Sequence, residues 1–479
     1  MGRKDFQGKW FYNFSLEQRV PQDHLLRSVA RAVDFAFVRG LVRETYSHTG
    51  APSVDPVVVF KMALLGYLYG ITSERRLAAE MRLNLAYLWF LGYDLDETPP
   101  DHSILSKARA RYGREAYRQF FNEIVRQCAE RGLVDGDLVY LDASLVKANA
   151  SLDSLVSRPL YSQLPNVDDH VRRLWAENEG PDGKGDDGPG NPPTGPSSGP
   201  AKRAKARAND RWVSRSDPQA AIISDRRRGF FLARKVHIAV DGGPSRIITA
   251  VVATAGDRPE SHQVELLLGQ HRWLTGRKPE ELVADRGYGT ARVYDFLRKQ
   301  RILPTVPRRA PWRHKAAMRH KEFVYVPELD RYRCPRGKWL YRQGVTPQNF
   351  VRYRTHEYAC RGCSFKPRCT RAKRCTINRP AHTATREWGD AHLATEQARQ
   401  SLQRRRYWAE TAFADLKGNH ALGRATLRGP AFEVQALLAA TAHNIKQLVR
   451  GRPPKVATQH VAQFHGSPVN LHRLAAAGG

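Results

Sequence analysis

Residues 137–306 alternate short apolar runs with amphipathic helical patterns, and this succession restricts the segment to a layered α/β fold. The predicted order is strand, hairpin, helix, strand, helix, strand. The first strand lies in DLVYLDASLVKA, and the hairpin joins FFLARKVHIAVDGG to SRIITAVVATAG through a turn that contains Asp241. The later strands are EELVADRGYG and ILPTV. The pattern predicts a mixed sheet covered by helices.

Two of the predicted strands carry a carboxylate among apolar residues. Asp142 lies within VYLDASL, and Asp285 lies at the end of ELVADRG. An unpaired carboxylate is costly in such surroundings, so a function or a salt bridge must account for each. If the two strands are neighbours, their carboxylates meet on one rim of the sheet.

A third acid is predicted on the long helical pattern from Leu393 to Gly418. At the pitch of an α-helix, Arg406, Glu410 and Lys417 fall within a stripe roughly 40° wide. This face would present Glu410 to metal ions, while Arg406 and Lys417 would bind DNA phosphates on either side. The spacing leaves open that Glu410 is only an i,i+4 partner of Arg406.

Convergent carboxylates are suited to hold a magnesium pair, because Mg²⁺ prefers oxygen ligands and keeps several of its waters. Such a pair supplies a nucleophilic oxygen at neutral pH and neutralises charge on a phosphodiester. Asp142, Asp285 and Glu410 are therefore predicted as catalytic ligands of two Mg²⁺ ions, for which Mn²⁺ would substitute. Isolated histidines such as His237 and His262 are expected to be ordinary strand or helix residues.

Cationic side chains are in excess along the whole chain. The 479 residues include 78 Lys and Arg against 47 Asp and Glu, a formal charge of +31. This balance predicts a polyanionic partner, with nucleic acid favoured over a basic protein that charge merely keeps soluble. There is no apolar run of about 20 residues and no apolar signal core at the N-terminus. We therefore expect a cytoplasmic protein without a membrane partner, whose six cysteines stay reduced.

Five of the six cysteines lie in a basic insertion. A C-x2-C knuckle with two outlying thiols is a candidate tetrahedral Zn²⁺ site, although ordinary buried or free cysteines remain an alternative. The candidate zinc ligands are Cys334, Cys360, Cys363 and Cys369, with Cys375 beyond them.

Composition and periodicity divide the chain into five segments. The predicted segments are an all-helical N-terminal domain (1–134), the first part of the catalytic core (135–307), the basic Cys-rich insertion (308–386), the catalytic and closing helices (387–451) and a flexible tail (452–479). A Gly-, Pro- and Ser-rich stretch at 179–201 predicts a disordered loop, and a basic run, AKRAKARANDR, overlaps its end.

Within the N-terminal domain, Ser73 is followed by ERRLAAEMRL and then by NLAYLWFLGY. This pattern predicts two short helices with a turn between them. The pair fits either a DNA-reading element or plain helical packing, and the sequence leaves both open.

These residues resemble the DDE-type transposases of bacterial insertion sequences, in the branch with the Y-R-E-K helix signature. LDASLVKANAS is similar to the segment that bears the first aspartate of that family, and VADRGYGT to the segment of the second. RRRYWAETAFADLKGNHALGRATLRG is similar to the signature helix, and QALLAATAHNIKQL to the closing helix. The signature's tyrosine position, three residues before Arg406, holds Gln403, while Tyr407 follows the arginine.

The resemblance implies an RNase H-like catalytic core that acts on double-stranded DNA with divalent metal ions. It further implies a nucleoid-associated homodimer that recognises terminal inverted repeats, cleaves the DNA and joins the 3′-OH to target DNA. Two alternatives stay open: a catalytically silent DNA-binding protein derived from a transposase, and a metal-dependent nuclease without strand transfer.

Overall fold

The computed structural model describes residues 14–46, 53–163, 207–227, 229–308, 322–346, 350–370, 372–380 and 383–451. The predicted loop at 179–201, the first part of the basic run after it and the predicted tail lie outside the described residues. In the described ranges no helix has the length and apolarity that crossing a membrane requires.

The N-terminal region is helical in its described part, as predicted. Its helices are α1 (Leu16–Arg19), α2 (Leu25–Ala32), α3 (Phe37–Val42), α4 (Pro56–Leu68), α5 (Glu74–Leu83), α6 (Leu85–Leu91) and α7 (Ser103–Glu130). The predicted helix pair is confirmed as α5 and α6. The Ser73 side chain accepts a hydrogen bond from Arg76 N, and Asn84 caps α6 in the same way.

A mixed sheet forms the centre of the molecule, which confirms the predicted fold class. Its strands are β1 (Leu138–Lys147), β4 (Ala221–Asp225), β5 (Gly229–Asp241), β6 (Ile248–Ala255), β7 (Glu281–Val283) and β8 (Leu303–Thr305), with β2 (Leu155–Ser157) and β3 (Trp212–Ser214) paired separately. Strand β5 pairs antiparallel with β1 on one edge and with β4 and β6 on the other. Strands β1, β7 and β8 are parallel neighbours. The sheet order β6-β5-β1-β7-β8 has β1 at its centre, with antiparallel neighbours on one side and parallel neighbours on the other.

Short helices α8 (Arg158–Gln163) and α9 (Ala208–Arg211) flank β2 and β3, and α10 (Val264–Thr275) and α11 (Ala291–Gln300) connect the later strands. Alternation along β1 separates the two faces of the sheet. Val139 and Leu141 pack on α10 and α11, whereas Tyr140 and Val146 face the core shared with the N-terminal helices. Asp142 has the same parity as Tyr140 and therefore points to this second face.

A five-stranded antiparallel sheet forms the cysteine-containing insertion. Its elements are β9 (Val324–Val326), β10 (Arg331–Arg333), β11 (Trp339–Val345), β12 (Phe350–Arg354), α12 (Lys366–Cys369) and β13 (Thr376–Pro380). The strands pair in chain order, from β9 to β13. The insertion has its own small apolar cluster, which includes Leu340, Tyr353 and Ile377.

The long helix predicted from Leu393 to Gly418 is confirmed as an unbroken helical run from Glu396 to Asn419. It consists of α14 (Glu396–Arg405), a π-turn (Arg406–Glu410) and α15 (Thr411–Asn419). A separate helix, α13 (Thr383–Leu393), precedes it, and α16 (Ala431–Arg450) follows. The Thr395 side chain begins the run, since it accepts a hydrogen bond from Ala398 N and caps α14.

Helix α16 joins the N-terminal helices to the sheet. It packs against α7, α4 and α2 on one side and against β6 on the other. The buried Asn444 amide accepts from Ile248 N and donates to Ile248 O, both at 2.8 Å, so the helix is hydrogen-bonded to the edge strand. The N-terminal helices and one face of the sheet therefore share one apolar core.

Candidate active site

The strand register brings Asp142 and Asp285 to the same level on adjacent strands. Val139 pairs with Leu282 and Tyr140 with Val283 in the parallel ladder. Continued two residues past the end of β7, this register brings Asp142 level with Asp285, and the charge of Asp285 acts on Asp142. Tyr140 and Val283 pack into the same core, so both aspartates continue the same face. The two acids predicted to meet on one rim of the sheet do so.

Asp142 lies in an environment that opposes its negative charge. Its side chain is 14% exposed. Burial raises the pKa of Asp142 to about 6, and the negative charge of Asp285 acts in the same direction. The Arg405 guanidinium, whose Nη2 donates to Asp142 Oδ1 at 3.1 Å, and the backbone N–H of Ala143 act against this rise. A cation beside these two aspartates would favour their ionised forms.

A third carboxylate, Glu260, approaches the pair from the short helical turn after β6. A Cβ atom added to Gly287 would lie 1.8 Å from Glu260 Oε2 and 2.8 Å from Asp285 Oδ1. Only a residue without a side chain at position 287 leaves room for both oxygens. Glu260 Oε1 is also 3.4 Å from Lys235 Nζ, which limits where its carboxylate can lie.

The hydroxyl group of Tyr288 lies close enough to Asp142, Glu260 and Asp285 for their charges to affect it. It is buried and has no hydrogen-bond partner among the described residues. Burial raises the pKa of Tyr288 well above its usual value, and the charges of Asp142, Glu260 and Asp285 add to the rise. The charges of three carboxylates thus reach the buried hydroxyl oxygen of Tyr288. A donor set made of oxygens alone, with an unsatisfied hydroxyl beside it, fits Mg²⁺ or Mn²⁺.

The π-turn changes which arginine reaches the aspartates. A π-turn holds one residue more than an α-helical turn. The residues before it are therefore shifted by one position around the helix axis relative to a regular α-helix. Arg405 contacts Asp142, whereas Arg406 is exposed. The predicted stripe of Arg406, Glu410 and Lys417 assumed a regular α-helix. The π-turn at Arg406–Glu410 shows that this assumption was wrong.

The π-turn and α15 are attached to the strand that carries Asp142. Trp408 Nε1 donates to Gly243 O at 3.2 Å, and its ring lies 6.0 Å from that of Tyr140. Lys417 Nζ donates to Ser144 Oγ at 2.6 Å and to Leu145 O at 3.0 Å. Lys417 therefore holds α15 on β1, two residues beyond Asp142 on the same face.

Glu410 lies on the last residue of the π-turn and is exposed. Across the described residues it has no ion pair with Arg406, so the simple i,i+4 alternative has no support. The ligand oxygens of Asp142, Asp285 and Glu410 do not all lie within 4.8 Å of one another. The role of Glu410 as a metal ligand stays a prediction.

The cysteines of the insertion converge on one small cavity. Its lining includes Cys334, Cys360, Cys363, Cys369 and Cys375, all of them free thiols. Cys369 Sγ lies 3.6 Å from Cys375 Sγ, so the cysteine that the sequence had set apart joins the cluster. Within the described part of the chain, however, no three of these sulfurs lie within 4.8 Å of one another. The donors suit zinc, but a closed tetrahedral set is not preformed.

Sequence reasoning missed Glu260, Tyr288 and Arg405. Glu260 stands where a helix was expected to begin, and an acid in a first turn is ordinary there. A signal was present in the glycine of DRGYG, because a glycine next to a strand-end aspartate often marks a close approach. The two tempting histidines behave as expected: His237 is buried on β5 with Nε2 3.0 Å from Thr254 Oγ1, and His262 is exposed.

Two family models match separate segments of the chain. Residues 14–111 match the family model described as a transposase domain (DUF772), and residues 333–449 match the model described as a transposase DDE domain. Two segments of the chain are thus similar to transposase domains, one near the N-terminus and one of the DDE type. Glu410 and Lys417 lie in the second match, whereas Asp142 and Asp285 lie between the two.

The other comparisons add little. No curated protein matches the sequence. Among solved structures, a cryo-EM structure of a piggyBac transposase synaptic complex with hairpin DNA is similar at 9% identity. The match covers 89% of this chain and 72% of that one, with a TM-score of 0.35. That likeness is too distant to define the fold or function of this chain.

Proposed function

We propose that this chain is the transposase of an insertion sequence, which cleaves DNA at the ends of its element and joins the freed 3′-OH to target DNA. The observation that carries the proposal is the proximity of Asp142 and Asp285 where the pairing of two neighbouring parallel strands ends. It is supported by the transposase DDE domain match. Its DNA partners would be the terminal inverted repeats and the target duplex, bound as a homodimer.

Asp142 and Asp285 would hold two Mg²⁺ or Mn²⁺ ions, with Glu410 from the π-turn as the third acid. Bound divalent metal supplies an activated water and neutralises charge on the phosphodiester. Glu260 is a further carboxylate available to the same ions. Arg405 would orient Asp142 through their hydrogen bond. The buried Tyr288 hydroxyl would donate a hydrogen bond to one of the surrounding carboxylates.

The proposal assigns DNA phosphate binding to Arg406 and Lys417. Arg406 is exposed beside the site and carries a guanidinium that pairs well with phosphate oxygens. Lys417 is held by β1, so its charge has a fixed position on the face of Asp142. The chain's formal charge of +31 supports a polyanionic partner.

The test is a reaction of the purified protein with Mg²⁺, a labelled fragment that carries the ends of its own element, and a target plasmid. The expected result is joined product that Asp142→Asn and Asp285→Asn abolish while DNA binding persists. Glu410→Gln tests the third acid. Glu265→Gln, an exposed acid on α10 paired with Arg292, is the matched control and should retain activity.

Other outcomes identify the alternatives. Cleavage without joined product would support a metal-dependent nuclease. DNA binding without cleavage, in the presence of Mg²⁺ or Mn²⁺, would support a silent DNA-binding descendant. Full joining by Asp142→Asn or Asp285→Asn would exclude that residue as an essential ligand.

We also propose that the thiols of the insertion bind a structural Zn²⁺ ion through Cys334, Cys360, Cys363 and Cys369. Backbone geometry supports a tight turn at Cys334 and another between Cys360 and Cys363. Lys338 N donates to Cys334 Sγ at 3.3 Å, and Gly362 within the C-x2-C turn has a positive φ of 64°. Metal analysis of the reduced protein should find one equivalent of zinc fewer in Cys360→Ser with Cys363→Ser than in wild type. Absence of zinc with intact thiols would contradict the site.

A further inference from the structure

A second set of metal-binding side chains lies outside the carboxylate site. Within the described residues, Asp415, His420 and His443 are the one trio of His, Cys, Asp or Glu whose ligand atoms all lie within 4.8 Å of one another. Asp415 is on α15, His420 follows that helix, and His443 is on α16. Neither the carboxylate site nor the cysteine cluster uses them.

Both imidazoles have the orientation of metal ligands. His443 Nδ1 lies 2.6 Å and His420 Nε2 3.2 Å from the same oxygen, Asp415 Oδ2. The other nitrogen of each ring faces a backbone carbonyl: His420 Nδ1 is 2.9 Å from Tyr67 O, and His443 Nε2 is 3.3 Å from Arg246 O. A carbonyl only accepts, so each ring donates its N–H there. A ligating histidine almost always donates its second N–H in this way.

With both N–H groups donated to carbonyls, neutral imidazoles have no N–H left to donate to Asp415. A neutral imidazole has one N–H, and the carbonyl takes it. Two bare nitrogen lone pairs would then face a carboxylate oxygen, which is repulsive without a cation. A divalent cation between the three side chains would accept both nitrogen lone pairs and the carboxylate oxygen at once. The side chains of His420 and His443 are 0% and 4% exposed, so water has little access to these nitrogens.

We propose that Asp415, His420 and His443 bind one divalent transition metal ion of the zinc class. Two imidazole nitrogens and a carboxylate oxygen are a common protein set for Zn²⁺, which leaves a fourth position for water. Asp415 is 25% exposed, so solvent reaches the site from its side. Its second oxygen accepts from Asn419 Nδ2 at 2.7 Å, which orients the carboxylate.

The ion would fix the helix that carries the predicted third acid and phosphate-binding lysine. It would tie α15 to α16, and the His420 contact with Tyr67 O extends the tie to α4. Its role is therefore structural, and the inference does not depend on the proposed DNA reaction.

The test uses the full chain, stripped with a chelator and titrated with Co²⁺ as a spectroscopic probe for zinc sites. We expect one equivalent to bind with visible ligand-field absorption and without a thiolate-to-cobalt charge-transfer band, which separates it from any cysteine site. His443→Gln should lose that equivalent. His271→Gln, a buried histidine bound to Thr249 and Gly136, is the matched control and should retain it.

Unchanged Co²⁺ binding by His443→Gln, or no equivalent free of the thiolate band, would overturn the proposal in favour of direct hydrogen bonds among the three side chains. Should His443→Gln fail to fold, the melting temperature of the Cys360→Ser, Cys363→Ser protein provides a second test. Zn²⁺ should still raise its melting temperature above that in chelator, and no rise would overturn the site.

Discussion

At the scale of single residues, Asp142 is placed where its charge is both needed and unfavourable. It is largely, though not fully, buried on a central strand beside Asp285, and the Arg405 guanidinium offsets part of the cost of burying its charge. Strained electrostatics of this kind gather at functional sites. The two aspartates were predictable, because a carboxylate inside an apolar strand stands out in the sequence. Glu260 was not, because only the folded chain brings Gly287 beneath its carboxylate.

The stability of the metal-free protein should depend on pH through Asp142. Its pKa rises from an ordinary 3.8 to about 6, so between these values the folded state binds more protons than the unfolded chain. Its contribution to stability is therefore present below about pH 4 and is lost as the pH rises through about 6. The effect is at most roughly 3 kcal/mol.

Urea denaturation of wild type and Asp142→Asn in chelator, at a series of pH values, measures this contribution as the difference between the two proteins. That difference should fall across the same window. A difference that is flat with pH would show that Asp142 is ionised in the folded state as easily as in the unfolded chain.

Gly287→Ala should disable the site without unfolding the protein. The new Cβ displaces the Glu260 carboxylate and crowds Asp285 Oδ1, and a displacement of about 1 Å near reacting groups can cost on the order of 100-fold in rate. A cleavage assay with matched circular dichroism spectra measures the loss. Gly269→Ala, on the exposed side of α10 with nothing near its Cβ, should leave the rate unchanged. Equal rates for both variants would remove Glu260 and its approach from the account.

At the scale of elements, the strands of the sheet and the presence of the signature helix followed from the sequence, whereas the phase of that helix did not. Apolar runs bounded by polar turns define β1, β5 and β7 well. A π-turn has no comparable signal, because a periodicity argument assumes the α-helical pitch throughout. The assumed pitch selected Arg406, while the structure gives the contact with Asp142 to Arg405. π-turns occur often at functional sites, and this one carries Glu410.

Two adjacent arginines test the register of the π-turn. Arg405→Ala leaves the buried Asp142 without its guanidinium partner and should lower the free energy of unfolding by about 1–3 kcal/mol. Arg406→Ala removes an exposed side chain and should change it by no more than about 0.5 kcal/mol. Chemical denaturation at neutral pH measures both. The reverse ranking would mean that the helix keeps a regular α-helical phase up to Glu410.

At the scale of the whole molecule, α16 gives the N-terminal helices and the catalytic sheet one apolar core. The sequence predicted separate segments at 1–134 and 135–307, since composition marks where patterns change and not which cores they join. The Cys-rich insertion, in contrast, forms a sheet and a cluster of its own. A change in the position of α16 would therefore be felt by the N-terminal helices and by the face that carries Asp142.

The proposed DNA cleavage depends most on Asp142 and Asp285, as the direct ligands of the metal that acts on DNA. The most direct test is a metal switch: DNA cleavage by Asp142→Cys and Asp285→Cys with Mg²⁺ and with Mn²⁺. Mg²⁺ prefers hard oxygen ligands, and Mn²⁺ tolerates a thiolate better. We predict that each cysteine variant is inactive with Mg²⁺ and regains cleavage with Mn²⁺, while the matching alanine variants stay inactive with both. Cleavage by the cysteine variants at wild-type rates in Mg²⁺ would contradict the account.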